Sequence, residues 1–74
     1  MEFVLNLEKG PVILKAGLAK SQISQLLGTR RAVEIDPVCE TENWYYCFRG
    51  KLFATYCTLC FRKNSLVSAE VVQA

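Results

Sequence analysis

Seven of the chain's eight aromatic side chains fall within the 18-residue stretch Trp44–Phe61, and that clustering limits what the chain can fold into. Aromatic residues favour the half-buried, pleated surface of a sheet, where successive side chains alternate between faces. Trp44, Tyr46 and Phe48 form the bulkier set of a first strand, which places Tyr45 and Cys47 on the other side. Arg49-Gly50-Lys51 supplies a turn with glycine at its centre. A second strand runs from Leu52 to Phe61; Phe53, Thr55, Cys57, Leu59 and Phe61 share its inward face, and Leu52, Ala54, Tyr56, Thr58 and Cys60 the outward one. After the polar turn Arg62-Lys63-Asn64-Ser65, a third strand covers Leu66 to Val72, with Val67, Ala69 and Val71 inward and Ser68 and Glu70 toward water. The outer face so built carries Tyr45, Tyr56 and Leu52.

Upstream, Phe3–Leu7 reads as a strand, Glu8-Lys9-Gly10-Pro11 as a turn and Val12–Lys15 as a short extended segment. Over Leu18–Leu27 the apolar residues Ala19, Ile23, Leu26 and Leu27 recur at helical spacing, and Gly28 is the expected stop. Thr29 to Asn43 breaks both periods and reads as a connecting loop with a short strand around Ala32–Ile35. A chain of 74 residues supports one compact core and buries only about 60% of its unfolded surface. The expectation is a single domain over residues 1–74 of class α+β: one short amphipathic helix packed on a three- or four-stranded antiparallel β-meander.

The run Ala16-Gly17-Leu18-Ala19-Lys20-Ser21-Gln22-Ile23, followed by Leu26-Leu27-Gly28, Trp44-x-Tyr46, Leu59-x-Phe61 and Asn64-x-Leu66-Val67, resembles a known pattern. It is similar to the α/β repeat shared by the outer-membrane assembly lipoprotein of the BamE/SmpA type and the β-lactamase inhibitory protein. The resemblance spans roughly residues 12 to 72. It implies a module that binds another protein and catalyses nothing.

Several chemistries fit the residues poorly. There is no histidine, which removes the commonest general base, and each glycine stands alone as a turn or cap residue. An enzyme is therefore not expected, and neither is a cofactor. Cys39, Cys47, Cys57 and Cys60 raise the alternative of a zinc-stabilised nucleic-acid-binding domain. Against it, seven residues separate Cys39 from Cys47, and Cys57 and Cys60 point to opposite faces of one strand. The cysteines thus read as free thiols with no bound metal.

A net charge of +2 is too small to mark a nucleic-acid footprint, and the acidic run Glu34, Asp36, Glu40 and Glu42 would repel a phosphate backbone. Met1-Glu2 opens without a basic segment before an apolar run, and no stretch is long enough to span a membrane. The expectation is a cytoplasmic, monomeric protein whose partner is another protein. Inhibition or regulation of a larger intracellular machine is the expected function. Its sharpest form is transcription regulation by a phage-encoded protein that captures host RNA polymerase. Tyr45 and Tyr56 on the outer face, with Arg49 and Lys51 at the adjoining turn, are the first candidates for partner contact, being residue types enriched in interface hot spots. Asp36, Glu40 and Glu42 are the second, as a loop able to steer the domain onto a basic surface.

Overall fold

The computed structural model describes residues 1–74. Its elements are β1 (Glu2–Leu7), β2 (Gly10–Lys15), α1 (Lys20–Leu27), β3 (Ala32–Asp36), β4 (Thr41–Arg49), β5 (Ala54–Arg62) and β6 (Ser65–Gln73). The architecture is α+β, with one short helix and antiparallel strands in two sheets. β1 and β2 make a two-stranded hairpin, and the second sheet has the order β3-β4-β5-β6. The expectation of one sheet under one helix is incomplete, because the N-terminal strands pair with each other and form a layer of their own.

That hairpin lies on the inner face of the larger sheet. Leu5 and Leu14 are fully buried, with Phe3, Leu7 and Val12 packed beside them, while Val4 and Ile13 face each other across the exposed side. The Thr55 hydroxyl and the Gln73 side-chain amide both donate to the Asn6 carbonyl, at 3.1 and 3.0 Å, tying β1 to β5 and β6. Opposite them, Trp44, Tyr46, Cys57, Leu59, Phe61 and Leu66 complete one core with Ile23 of α1. The Trp44 and Phe61 rings are 4.7 Å apart and tilted, a favourable aromatic arrangement.

The helix is shorter than its apolar spacing predicts. It starts at Lys20, where the Asn64 side chain accepts the Lys20 N–H at 3.3 Å and the Gln22 side chain accepts that of Ala19 at 2.9 Å. Just before it, Gly17 donates to the Leu66 carbonyl and Leu66 donates to that of Leu18. This bridge pins the segment between β2 and α1 to the start of β6. Gly28 ends the helix at φ +81°, a conformation that suits glycine, and its carbonyl accepts the Tyr46 hydroxyl at 3.0 Å. In so short a helix only Ile23 is fully buried; Leu27 packs at the margin, and Leu26, expected inside, is 55% exposed.

Within the two central strands the expected inward sets hold: Trp44 and Tyr46 on β4 and Thr55, Cys57, Leu59 and Phe61 on β5 are buried, with Phe48 packed against them. Phe53, expected with them, precedes β5 and lies outside the core. Two further residues depart from the expected pattern. Val67 is 45% exposed, because the register shifts between Cys60 and Phe61 and leaves Val67 unpaired between Leu66 and Ser68. The bulge turns Leu66 inward, while Ala69 and Val71 keep the inner face. Leu52 precedes β5 and stands exposed in a loop, so it belongs to neither sheet face.

Candidate partner-binding surfaces

Hairpin and helix both cover the inner face of the four-stranded sheet, and the other face is open. Strand register arranges its side chains in rows. Cys47, Tyr56 and Val72 lie side by side; next come Ala32, Tyr45, Thr58 and Glu70; then Glu34, Asn43, Cys60 and Ser68. Tyr56 is 40% exposed and Val72 more so, giving this face an apolar centre. Tyr45 is half-buried, and its hydroxyl reaches Glu34 at 3.5 Å, a long contact that leaves the ring available. The structure thus brings the two expected tyrosines onto one surface in adjacent rows.

Arg49 and Lys51 take part in a second surface at the end of the molecule. A groove of about 970 Å³ opens there between the β1–β2 turn, the last turn of α1 and the β4–β5 loop. Its floor is Leu7, Val12, Leu27 and Phe48, with Leu26 on the wall. Lys9, Arg49 and Lys51 stand around it, and none of them makes an ion pair, since Lys20–Glu42 is the one salt bridge in the structure. The acid at the rim, Glu8, accepts the N–H groups of Leu52 and Phe53 at 2.7 and 3.1 Å. Those bonds, led by Leu52, hold its carboxyl below the usual range. A Cβ on Gly50 would collide with the Glu8 side chain, so glycine lets the loop close over this carboxylate. A smaller recess of about 390 Å³, lined by Thr29, Arg31 and Tyr46, adjoins the groove across Phe48 and Arg49.

Of the three acids expected to form one steering loop, Glu42 is separated from Asp36 and Glu40. Residues 32–49 form a hairpin, β3 with β4, closed by a turn over Pro37–Glu40. Asp36 Oδ1 accepts the N–H groups of Val38 and Cys39 at 3.0 and 3.2 Å, shaping that turn. Its carboxyl is held low chiefly by the Cys39 bond. Glu40 sits in the same turn at φ +56° and is exposed. Glu42 lies on the inner side of β4, two residues before Trp44; it accepts the Trp44 indole N–H and pairs with Lys20 Nζ at 3.0 Å. The Trp44 bond leads in holding its carboxyl low, with Lys20 adding to it. Glu42 therefore clamps the helix start to β4, and Asp36 and Glu40 are what the turn presents outward.

The cysteines do not converge. Cys57 is buried in the core, and desolvation pushes its thiol up to about 11. Cys60 lies on the opposite face, as alternation requires, and Cys39 is exposed in the hairpin turn. Cys47 and Cys60 share the outer face but are four register positions apart, about 13 Å along the strands, too far for a disulfide. No three His, Cys, Asp or Glu side chains stand close enough together to hold a metal ion.

The residues that sequence reasoning missed are Lys9, Val12, Leu26, Leu27 and Phe48 of the groove. They come from three distant segments, and no local pattern joins them. No helix is long and apolar enough to cross a membrane. No family model, curated protein or solved structure matches the chain.

Proposed function

We propose that this chain is a small, non-catalytic protein-binding module that regulates or inhibits a larger assembly by docking through the outer face of its four-stranded sheet. One observation carries the reading. The two layers that complete the core both lie on the inner side, and the uncovered side presents Tyr56, Val72 and Tyr45 together. Aromatic side chains exposed on a rigid sheet bring a large contact area at little entropic cost, and such patches mark interaction surfaces.

The test begins with a partner captured from lysate of the native host and its affinity for the purified domain. Tyr56→Ala and Tyr45→Ala should each weaken that affinity about tenfold or more without lowering the melting temperature. Val4→Ala, on the exposed side of the β1–β2 hairpin, should leave it unchanged. Wild-type affinity in both tyrosine variants would remove the outer face as the binding surface.

A further inference from the structure

We propose that the groove at the β1–β2 end takes an acidic segment of a partner protein and seats one bulky apolar side chain of that segment on its floor. This rests on the reading of the chain as a protein-binding module and adds to the outer face a second, separate contact of stated chemistry.

Leu7, Val12, Leu27 and Phe48 are apolar and half-buried, and each packs from behind against the buried core. Leu26 offers more than half of its surface beside it, an arrangement that leaves apolar area in water until something covers it. A volume of about 970 Å³ is ample for a side chain the size of Phe or Leu together with its flanking backbone.

The rim then selects the charge of the occupant. Lys9, Arg49 and Lys51 come from three different positions in the chain and meet around one opening with no acid paired to them. Glu8 contributes one negative charge, but its carboxylate is occupied by two backbone N–H groups that partly offset it. Arg31, in the adjoining recess, extends the cationic strip past Phe48. The carbonyl end of α1 opposes this field; there, Tyr46 already donates to the Gly28 carbonyl. The balance favours a carboxylate-bearing chain. An apolar floor favours a segment with an apolar anchor over duplex nucleic acid, whose bases are paired and stacked out of reach and which meets the groove with phosphates alone.

The experiment records amide NMR spectra of the intact 74-residue chain during titration with a short synthetic peptide of Asp and Glu residues around a central Phe. Three controls accompany it: the same peptide with Ser for Phe, a Lys-rich peptide around Phe, and an oligo-deoxythymidine. The acidic Phe peptide should shift the signals of Lys9, Leu26, Phe48 and Lys51 and bind more weakly as salt rises. Lys9→Glu and Lys51→Glu, both at exposed positions, should each weaken it about tenfold. Tyr56→Ala should leave it unchanged.

Shifts confined to Tyr56 and Val72, or no peptide binding while a captured partner still depends on Tyr56, would overturn the groove and leave the protein-binding reading standing. Equal binding of the Ser or Lys-rich peptide would overturn the stated chemistry. Preferential binding of the oligonucleotide would overturn both readings. The same shifts on simple concentration of the protein would show a second copy in the groove, and the proposal would fail.

Discussion

Strand β5 shows two opposite environments on one backbone. Thr55, Cys57, Leu59 and Phe61 are at most 2% exposed, whereas Ala54, Tyr56, Thr58 and Cys60, interleaved with them, remain partly or largely accessible. The first set meets the β1–β2 hairpin and the helix; the second meets only its neighbours within the sheet, with no layer over it. In a domain this small there is material for only one covering layer, so the sheet stays half-dressed. Changes on the inner face should therefore be read out as stability, and changes on the outer face as recognition.

The largest effect is expected at Trp44. Its ring stacks obliquely on Phe61, its indole N–H is held by Glu42, and the Arg30 guanidinium lies 4.5 Å from the ring centroid. Truncation of a buried Trp to Ala typically costs about 3–5 kcal/mol, comparable to the whole stability of a chain this size. Trp44→Ala should give a largely unfolded protein by circular dichroism and denaturant titration. A cooperative, near-native melt would break the division between faces at its strongest point.

A smaller effect is expected at Glu42, the one inner-face residue of β4 that carries charge. Its carboxyl titrates below the ordinary glutamate value because the Trp44 indole and Lys20 favour the ionised form. A folded pKa below the unfolded one gives a stabilisation that is present above the unfolded value. It is lost as pH falls through the folded value. Glu42→Gln should lower stability at neutral pH by about 1 kcal/mol and flatten the acid side of the stability profile. An unchanged acid limb in urea titrations at successive pH values would show that the clamp between α1 and β4 contributes nothing.

How much of this was legible in the sequence depends on the range of the interaction responsible. Alternation placed Trp44, Tyr46, Cys57, Leu59 and Phe61 correctly, because a strand's facing is set locally. Alternation failed at Val67, where one extra residue in β6 shifts the phase, and nothing in Leu66-Val67-Ser68 announces a bulge. The helical spacing over-counted Leu26, since eight residues bury one narrow stripe and its flank faces the groove. Glu42 looked like one more acid in a loop. Its role follows from β4 beginning at Thr41, which carries the inward phase of Trp44 back to position 42. The hairpin pairing of the first fifteen residues was missed for a different reason. Glu8-Lys9-Gly10-Pro11 signals a turn, and the pairing register follows only once Leu5 and Leu14 have a core to enter. The tyrosines were legible as a surface and the groove was not, because a face belongs to a strand and a groove to three separated segments.

The separation of the two faces is tested most directly by the thiols of Cys57 and Cys60, three residues apart on β5. Native protein is treated with an alkylating reagent at mildly alkaline pH, and the modification of each cysteine is followed by peptide mass spectrometry. Cys60, on the open face, should react without denaturant. Cys57, buried and with its thiol pushed up to about 11, should react only as the chain unfolds, its protection falling in step with the loss of structure in urea. Equal reactivity of the two thiols in the native protein would contradict the account, because it would mean that neither face of the sheet is covered.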